Sequence, residues 1–412
     1  MIITEKSKGF KLSLFAILYF VQGIISAFTT TFAKPYLDSF GVDPDLIGLM
    51  TSILLLPFIL KVFYGMISDR INLFGMGHRL PYIWVSLIIS ALALLAAGFI
   101  RPDLNFWGFA GMIILASFAI SLYDTTTDAL AVDITPVEEQ GLVQSVMTSG
   151  RAVGIVIMAV AIGWIAQLFG WLPVYIIMSI SLLIPMVWIF QIREPAKGSA
   201  QESFDWSAFQ ALIKPSYLIF ALYSIIVWFA YQGADGLVTF YMSKELGATE
   251  SQLGYYGSIR GAGMIGGAFL TTFLIGKIGR RATTFLILGL VTTGAFIFSR
   301  AGSVGFLLGF AAIWGGIAGL TWTIHTVLSM TRADPRIAGS MFAISMAFAN
   351  IGWALGDGVS TSLTDNIGFS NVFLMLSGIN LLALPVIWFM FKMAPQHELA
   401  LEEGDPTTVT AA

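Results

Sequence analysis

Charged side chains set inside apolar runs are the residues of this sequence best placed to do chemistry. Lys61, Arg151 and Arg260 lie in such runs, as do Asp124, Asp128, Asp235 and Asp357. An ionised group at the centre of a membrane helix costs roughly 2.5–3.5 kcal/mol on insertion scales, so it faces a cavity or a partner. Arg151 lies about eleven residues into its run, which at 1.5 Å per residue is about 16 Å deep. Arg260 sits at a similar depth in a later run. A guanidinium there attracts a carboxylate or a phosphate, and both arginines are read as anchors for an anionic group. A carboxyl in a desolvated site can carry a proton, which makes Asp124 and Asp235 candidates for proton coupling. Asp124 and Asp128 are four apart and share one helix face. Lys61, four residues after Pro57, can pair with either, and a helix-locking ion pair is the plain alternative for each charge. Gln22 and Gln232 each precede a glycine, which permits close helix approach, and with Asn350 they complete a substrate-binding set. His325 is read as a packing residue rather than a proton relay. Trp228, Tyr231, Trp322 and Trp353 could stack on a flat ligand.

The elements that must hold these groups follow from composition. The chain has 412 residues, of which 57% are hydrophobic and 11% charged, and its mean hydropathy is +0.84. Soluble domains carry about 25% charge, so a soluble fold, disorder and coiled coil are excluded together. A net charge of −3 points to no nucleic-acid partner. There are no cysteines, and three scattered histidines leave little for a metal cluster, so neither metal nor cofactor is expected.

A helix needs about 20 mostly apolar residues to cross a bilayer. Twelve such segments are predicted, over residues 11–39, 45–68, 80–100, 105–130, 139–168, 171–192, 214–242, 250–276, 282–300, 303–330, 335–364 and 369–392. The first is read as a retained helix, being too long for a signal sequence and lacking a clear cleavage site. Residues 1–192 form one six-helix half, 193–213 a cytoplasmic linker, 214–392 the second half and 393–412 a cytoplasmic tail. With the N-terminus in the cytoplasm, fourteen Lys and Arg fall on the cytoplasmic side. Four (Lys34, Arg101, Lys244 and Arg300) fall outside. Both termini are therefore expected in the cytoplasm.

The halves look alike. Gly141, Gly154 and Gly170 recur as Gly339, Gly352 and Gly368, each displaced by 198 residues. Gln22-Gly23 recurs as Gln232-Gly233, and the turn glycines Gly41 and Gly48 as Gly247 and Gly254. The second run ends Gly65-Met-Ile-Ser-Asp69-Arg70, followed by Gly75, Gly77, His78 and Arg79. The eighth ends Gly276-Lys277-Ile278-Gly279-Arg280-Arg281. This pattern resembles the Gly-x-x-x-Asp-Arg loop of the major facilitator superfamily, with a longer spacer in the first copy. The resemblance implies an all-α membrane protein, twelve transmembrane helices in two pseudo-symmetric bundles around a central site. It also implies that this loop braces one half against the other, with Lys61, Asp69, Arg70, Asp128 and Asp133 in a gating network.

Three stretches are similar to a narrower lineage. They are Leu18 to Ile24, then Leu56-Pro57 through Tyr82, and Asp124-Thr-Thr-Thr-Asp128 with Pro136, Glu138, Glu139 and Gly141. That lineage holds folate–biopterin transporters, muropeptide permeases and acetyl-CoA transporters. It implies a permease for a small organic solute, expected to be an anion, moved by alternating access as a proton symporter. It would act as a monomer in the plasma or inner membrane, with protons and the lipid bilayer as its other partners. A non-transporting membrane receptor or assembly factor on the same fold is the alternative. No phosphate-binding loop of the ATPase type occurs, which disfavours a primary pump. Gly261-Ala-Gly263-Met-Ile-Gly266 fits the dinucleotide fingerprint, but it lies inside an apolar run with no preceding strand, so it reads as helix packing and the chain as no enzyme.

Overall fold

The computed structural model of the chain describes residues 2–75, 77–194, 213–332 and 338–393. Within its helices, the side chains of Val62, Met66, Asp69, Val137, Glu138 and residues 140–141 and 338–340 are outside the description. So are the tail and most of the linker.

Sixteen α-helices make up the described fold. The first half holds α1 (Lys8–Thr31), α2 (Ala33–Ser39), α3 (Pro44–Ile53), α4 (Leu56–Ile59), α5 (Lys61–Arg70), α6 (Leu80–Gly98), α7 (Phe106–Ile134), α8 (Val137–Phe169), α9 (Trp171–Leu183) and α10 (Met186–Ile189). The second holds α11 (Pro215–Lys244), α12 (Glu250–Phe298), α13 (Val304–Arg332), α14 (Ala338–Ser362), α15 (Thr364–Leu381) and α16 (Ala383–Lys392). Helix starts are chemically marked. Ser7 Oγ accepts from the Phe10 amide at 3.3 Å, Asn105 Oδ1 from Gly108 at 2.9 Å, and Thr249 with Gln252 forms a reciprocal capping box.

Among the described residues, ten helical stretches are long and apolar enough to cross a membrane. One of them, α12, runs 49 residues, or about 74 Å at 1.5 Å per residue, which is two spans. It turns at Gly279, whose φ of 77° is the left-handed conformation that glycine adopts without strain. The predicted segment 45–68 is instead broken into α3, α4 and α5 around Pro57. Carbonyls at the break find partners: Leu54 O accepts from Ser117 at 2.6 Å, and Pro57 O accepts from Ser121 at 2.9 Å as well as from the Leu60 amide at 3.2 Å. Side chains of α7 thus supply what the broken helix lost, as lipid cannot.

The internal repeat is visible in the backbone. Gly170 and Gly368 share φ near 77° (78° and 77°), and Gly41 and Gly247 are both left-handed, at 71° and 64°. A Cβ on Gly154 would strike the Phe20 carbonyl of α1; one on Gly352 would meet the Ile225 carbonyl of α11 at 2.5 Å. The same backbone approach therefore packs α8 on α1 and α14 on α11.

Two faces of the bundle can be distinguished. The near face carries the N-terminal segment and the loop 71–79, the far face α2 and the turns at Gly170 and Gly247. The halves touch backbone to backbone toward the far face. A Cβ on Gly48 of α3 would meet the Gly358 carbonyl at 2.6 Å, and one on Gly254 of α12 the Ala159 carbonyl at 2.5 Å. Between the halves a cavity of about 3130 Å³ runs from Lys34, Gly236 and Asp357 at the far end to Arg70, His78, Arg79, Asp133 and Met330 at the near face.

Candidate functional site

The cavity is lined by residues of α1 to α5, α7 and α8 on one side and of α11 to α14 on the other, and its two sides differ in chemistry. The first half supplies charge. Asp124 of α7 takes the Lys61 ammonium and the Gln22 amide together. Lys61 starts α5 just after the helix break at Leu60, and this directs it at α7. One turn along α7, Asp128 accepts the Tyr19 hydroxyl and forms no ion pair with a described cation. Of the two partners open to Lys61 by sequence, the fold selects Asp124. Asp128, expected in the gating network, lines the cavity, its four-residue spacing putting it on the face of Asp124.

Arg151 of α8 lines the cavity. Its Nη2 reaches Ser26 Oγ at 3.4 Å, and it pairs with no described carboxylate. Arg260 is different. Its Nε donates to Asp235 Oδ1 at 2.6 Å, its Nη2 to the other oxygen, and the Trp314 indole donates to Asp235 at 2.7 Å. The expected pair of arginine anchors is thus one open guanidinium and one neutralised by a bidentate partner. Asp235, a coupling candidate by sequence, is 5% exposed and is not among the residues of the cavity wall.

The second half supplies aromatic surface and amide. Trp228, Tyr231, Trp322 and Trp353 all line the cavity. Trp228 stacks on Trp353 with centroids 6.3 Å apart and meets Trp322 edge-on at 5.4 Å. Gln232, one turn from Trp228, is 4% exposed and lines the cavity, and its amide bonds to no described residue. Gln22 and Gln232 therefore hold matching places with different duties: Gln22 holds Asp124, and Gln232 is open. Asn350 also lines the cavity, its Nδ2 donating across the halves to Phe58 O at 3.4 Å. His325 bonds Ser224 at 3.0 Å, stacks on Phe220 at 5.6 Å and is buried off the cavity, the packing role expected of it.

At the near face, Arg79 donates to Asp133 Oδ2 at 2.8 Å and to Ser68 Oγ at 2.7 Å. Glu194 accepts the amides of His78 and Arg79, both at 2.7 Å, and that of Leu80. Arg79 is thus tied to α7 of the first half, and the amides at the end of the loop to Glu194 at the start of the linker. Arg70 is exposed at the mouth of the cavity, and the Asp69 side chain is outside the described residues.

Two residues escaped the sequence reading. Lys34, counted as an outer-face basic residue, is buried and donates to Asp357 Oδ1 at 2.7 Å. Asp357 inside a span asked for a cation, and Lys34 inside its own predicted segment was the signal for one. Arg79, counted as an orientation charge, is 5% exposed.

Known proteins place this arrangement. The family model of the Major Facilitator Superfamily matches residues 15–243 and 221–411. The chain is 27% identical to the folate-biopterin transporter of Synechocystis sp., over 94% of this chain and 83% of that one. It is 25% identical to the anhydromuropeptide permease of Escherichia coli K12, over 42% of this chain and 35% of that one. A bacterial homologue of the human lysosomal transporter Spinster, solved inward-facing and unoccupied, superposes with a TM-score of 0.75 at 15% identity, covering 93% of this chain and 98% of that one. The chain belongs to the Major Facilitator Superfamily and is a membrane transporter of that fold.

Proposed function

We propose that this protein carries a small organic anion with a flat ring across the membrane by alternating access, coupled to protons. The observation that carries the reading is the open Arg151 guanidinium in a cavity whose other wall is the Trp228, Trp322 and Trp353 cluster. A half-buried cation without a described carboxylate partner is stabilised when an anionic ligand arrives. The tryptophans offer a planar ring a stacking surface, and Gln232 offers it a donor and an acceptor. A relative named for folate and biopterin supports trying pterins first.

Coupling is assigned to Asp124, with Asp128 beside it. Asp124 shares its oxygens between Lys61 and Gln22, so a proton taken there would release both. Asp235, enclosed by Arg260 and Trp314, is assigned instead to locking α11 on α12 and α13. By the Lys and Arg bias the near face is cytoplasmic, which makes the cavity inward-open, with Arg79, Asp133, Arg70 and Asp69 at its gate. One chain encloses the whole cavity, which supports a working monomer in the plasma or inner membrane.

The test uses purified protein in liposomes under an imposed proton gradient. Internal pH is followed while folate, an anhydromuropeptide and acetyl-CoA are added in turn. A pH change that depends on one of them, and is lost in Asp124→Asn, is the expected result. Uptake of label without a pH change would overturn proton coupling. Normal transport by Arg151→Ala would overturn the anion anchor.

A further inference from the structure

The blind end of the cavity holds an ion pair that joins the two halves. Lys34 belongs to α2, at the far end of the first helix, and Asp357 to α14. Their atoms are 2.7 Å apart, and their side chains are 6% and 8% exposed. Both line the cavity, as does Gly236 of α11, where any Cβ would collide with the Asp357 carboxylate and come within 3.0 Å of the Lys34 nitrogen. Glycine at 236 is what lets the pair close. A second ion pair crosses the halves nearby, Lys244 to Asp38 at 3.6 Å. Its side chains are 28% and 23% exposed, and Lys244 is shared with Asp365 of its own half at 3.0 Å.

These two pairs differ in what parting the halves does to them. Lys244 keeps Asp365 and is already wetted, so separation changes little. Lys34 and Asp357 have no other described ionic partner, so separation must hydrate both charges at once. Removing one partner instead leaves a buried uncompensated charge, which is relieved by opening that face to water.

We propose that Lys34 and Asp357 are the latch that holds the far face shut, and that its breaking is a required step of opening toward that side. The proposal rests on the alternating-access reading. The chain has no cysteine, so two can be introduced cleanly at Leu104 and Gly302, which are exposed on the far face in opposite halves. Spin labels there report the separation of the halves in the full-length protein in lipid nanodiscs. Gly254→Trp, which wedges α12 off α8, gives the reference for an open far face. Asp357→Asn is expected to raise the ratio of long to short distances roughly tenfold or more. Lys34→Asp combined with Asp357→Lys is expected to return it, and Lys244→Gln to leave it unchanged. If the wedge lengthens the distance and Asp357→Asn does not, the latch is wrong and alternating access stands. A double swap that stays open overturns the latch in favour of packing. If the wedge fails to lengthen the distance while the variant remains folded and monodisperse, alternating access itself is wrong.

Discussion

At the scale of single residues, the site divides into a charged wall and an aromatic wall, and the division can be tested by substrate chemistry. Among the described residues Arg151 reaches a hydroxyl at 3.4 Å and no carboxylate, and on the proposed reading its charge is met by the ligand. A hydrogen bond to a charged group contributes about 1.5–3 kcal/mol, so Arg151→Gln should weaken binding of an anionic substrate roughly 10- to 100-fold. Arg151→Lys keeps the charge but loses the planar fork, and should fall between the two. The measurement is the KM of labelled uptake, with thermal unfolding as the check on folding; an unchanged KM in Arg151→Gln would place the anion elsewhere. Trp353→Ala removes a stacking partner of Trp228 on the opposite wall. An aromatic pair is worth about 0.5–1.5 kcal/mol, so affinity for a ring-bearing substrate should drop roughly 2- to 10-fold, and for a ring-free analogue not at all. Much of this site was legible in the sequence, because Gln22, Arg151, Gln232 and Asp124 are polar groups where lipid tolerates none without a reason. Partner choice was not. Two helices and a break decide that Lys61 meets Asp124, and that Arg260 is taken by Asp235 while Arg151 is left open. Lys34 was missed because a cation near the end of a span reads the same whether it anchors at the surface or turns inward.

At the scale of helices, glycine placement decides which pairs come close. Gly263 and Gly267 of α12 face the backbone of Ala312 and Gly316 in α13, and Gly315 returns the contact against Arg260. The stretch that mimics a dinucleotide fingerprint is therefore a packing seam, and it also fixes the backbone that carries Arg260. Gly266 lies between these contacts and faces open space. That contrast gives a prediction within one helix turn. Gly267→Ala inserts a methyl against backbone that cannot yield, and should destabilise by about 1–3 kcal/mol. Gly266→Ala adds the same methyl where nothing meets it, and should be neutral or stabilising by about 0.5–1 kcal/mol through helix propensity. Unfolding midpoints of the two purified variants in one detergent decide the matter; equal shifts would sink the seam argument. The number of spans and their order could be read from apolar length, and the repeat from glycine spacing. The two spans on either side of Gly279 could be read as well, but the break of the second span could not. It depends on local backbone conformation and on Ser117 and Ser121, far away in sequence, donating to the carbonyls of Leu54 and Pro57.

At the scale of the whole molecule, the contacts between halves are unevenly distributed. Backbone approaches at Gly48, Gly163, Gly254 and Gly358 all lie toward the far face, where α3 meets α14 and α8 meets α12. At the near end the cavity opens between the halves, and Arg79 and His78 are tied to Asp133 of the first half and Glu194 of the linker. A closed far face with an accessible cavity is one end-state of a rocking cycle. Binding from the near side needs only this state, whereas net transport needs the other as well. A covalent tie across the far face should therefore separate the two activities. Ser52 of α3 and Gly358 of α14 suit it, since a Cβ built on Gly358 lies 3.2 Å from Ser52 Cβ. Disulfides span about 3.5–4.5 Å between Cβ atoms, so the helices need shift by only a few tenths of an ångström. In a chain with no other cysteine, Ser52→Cys with Gly358→Cys should oxidise to a single bond that locks the far face. The oxidised protein should bind substrate with the affinity of the reduced form, yet give no net uptake into liposomes, and reductant should restore uptake. Full transport by the oxidised protein would mean that the halves never part there, and that passage through the cavity follows another route.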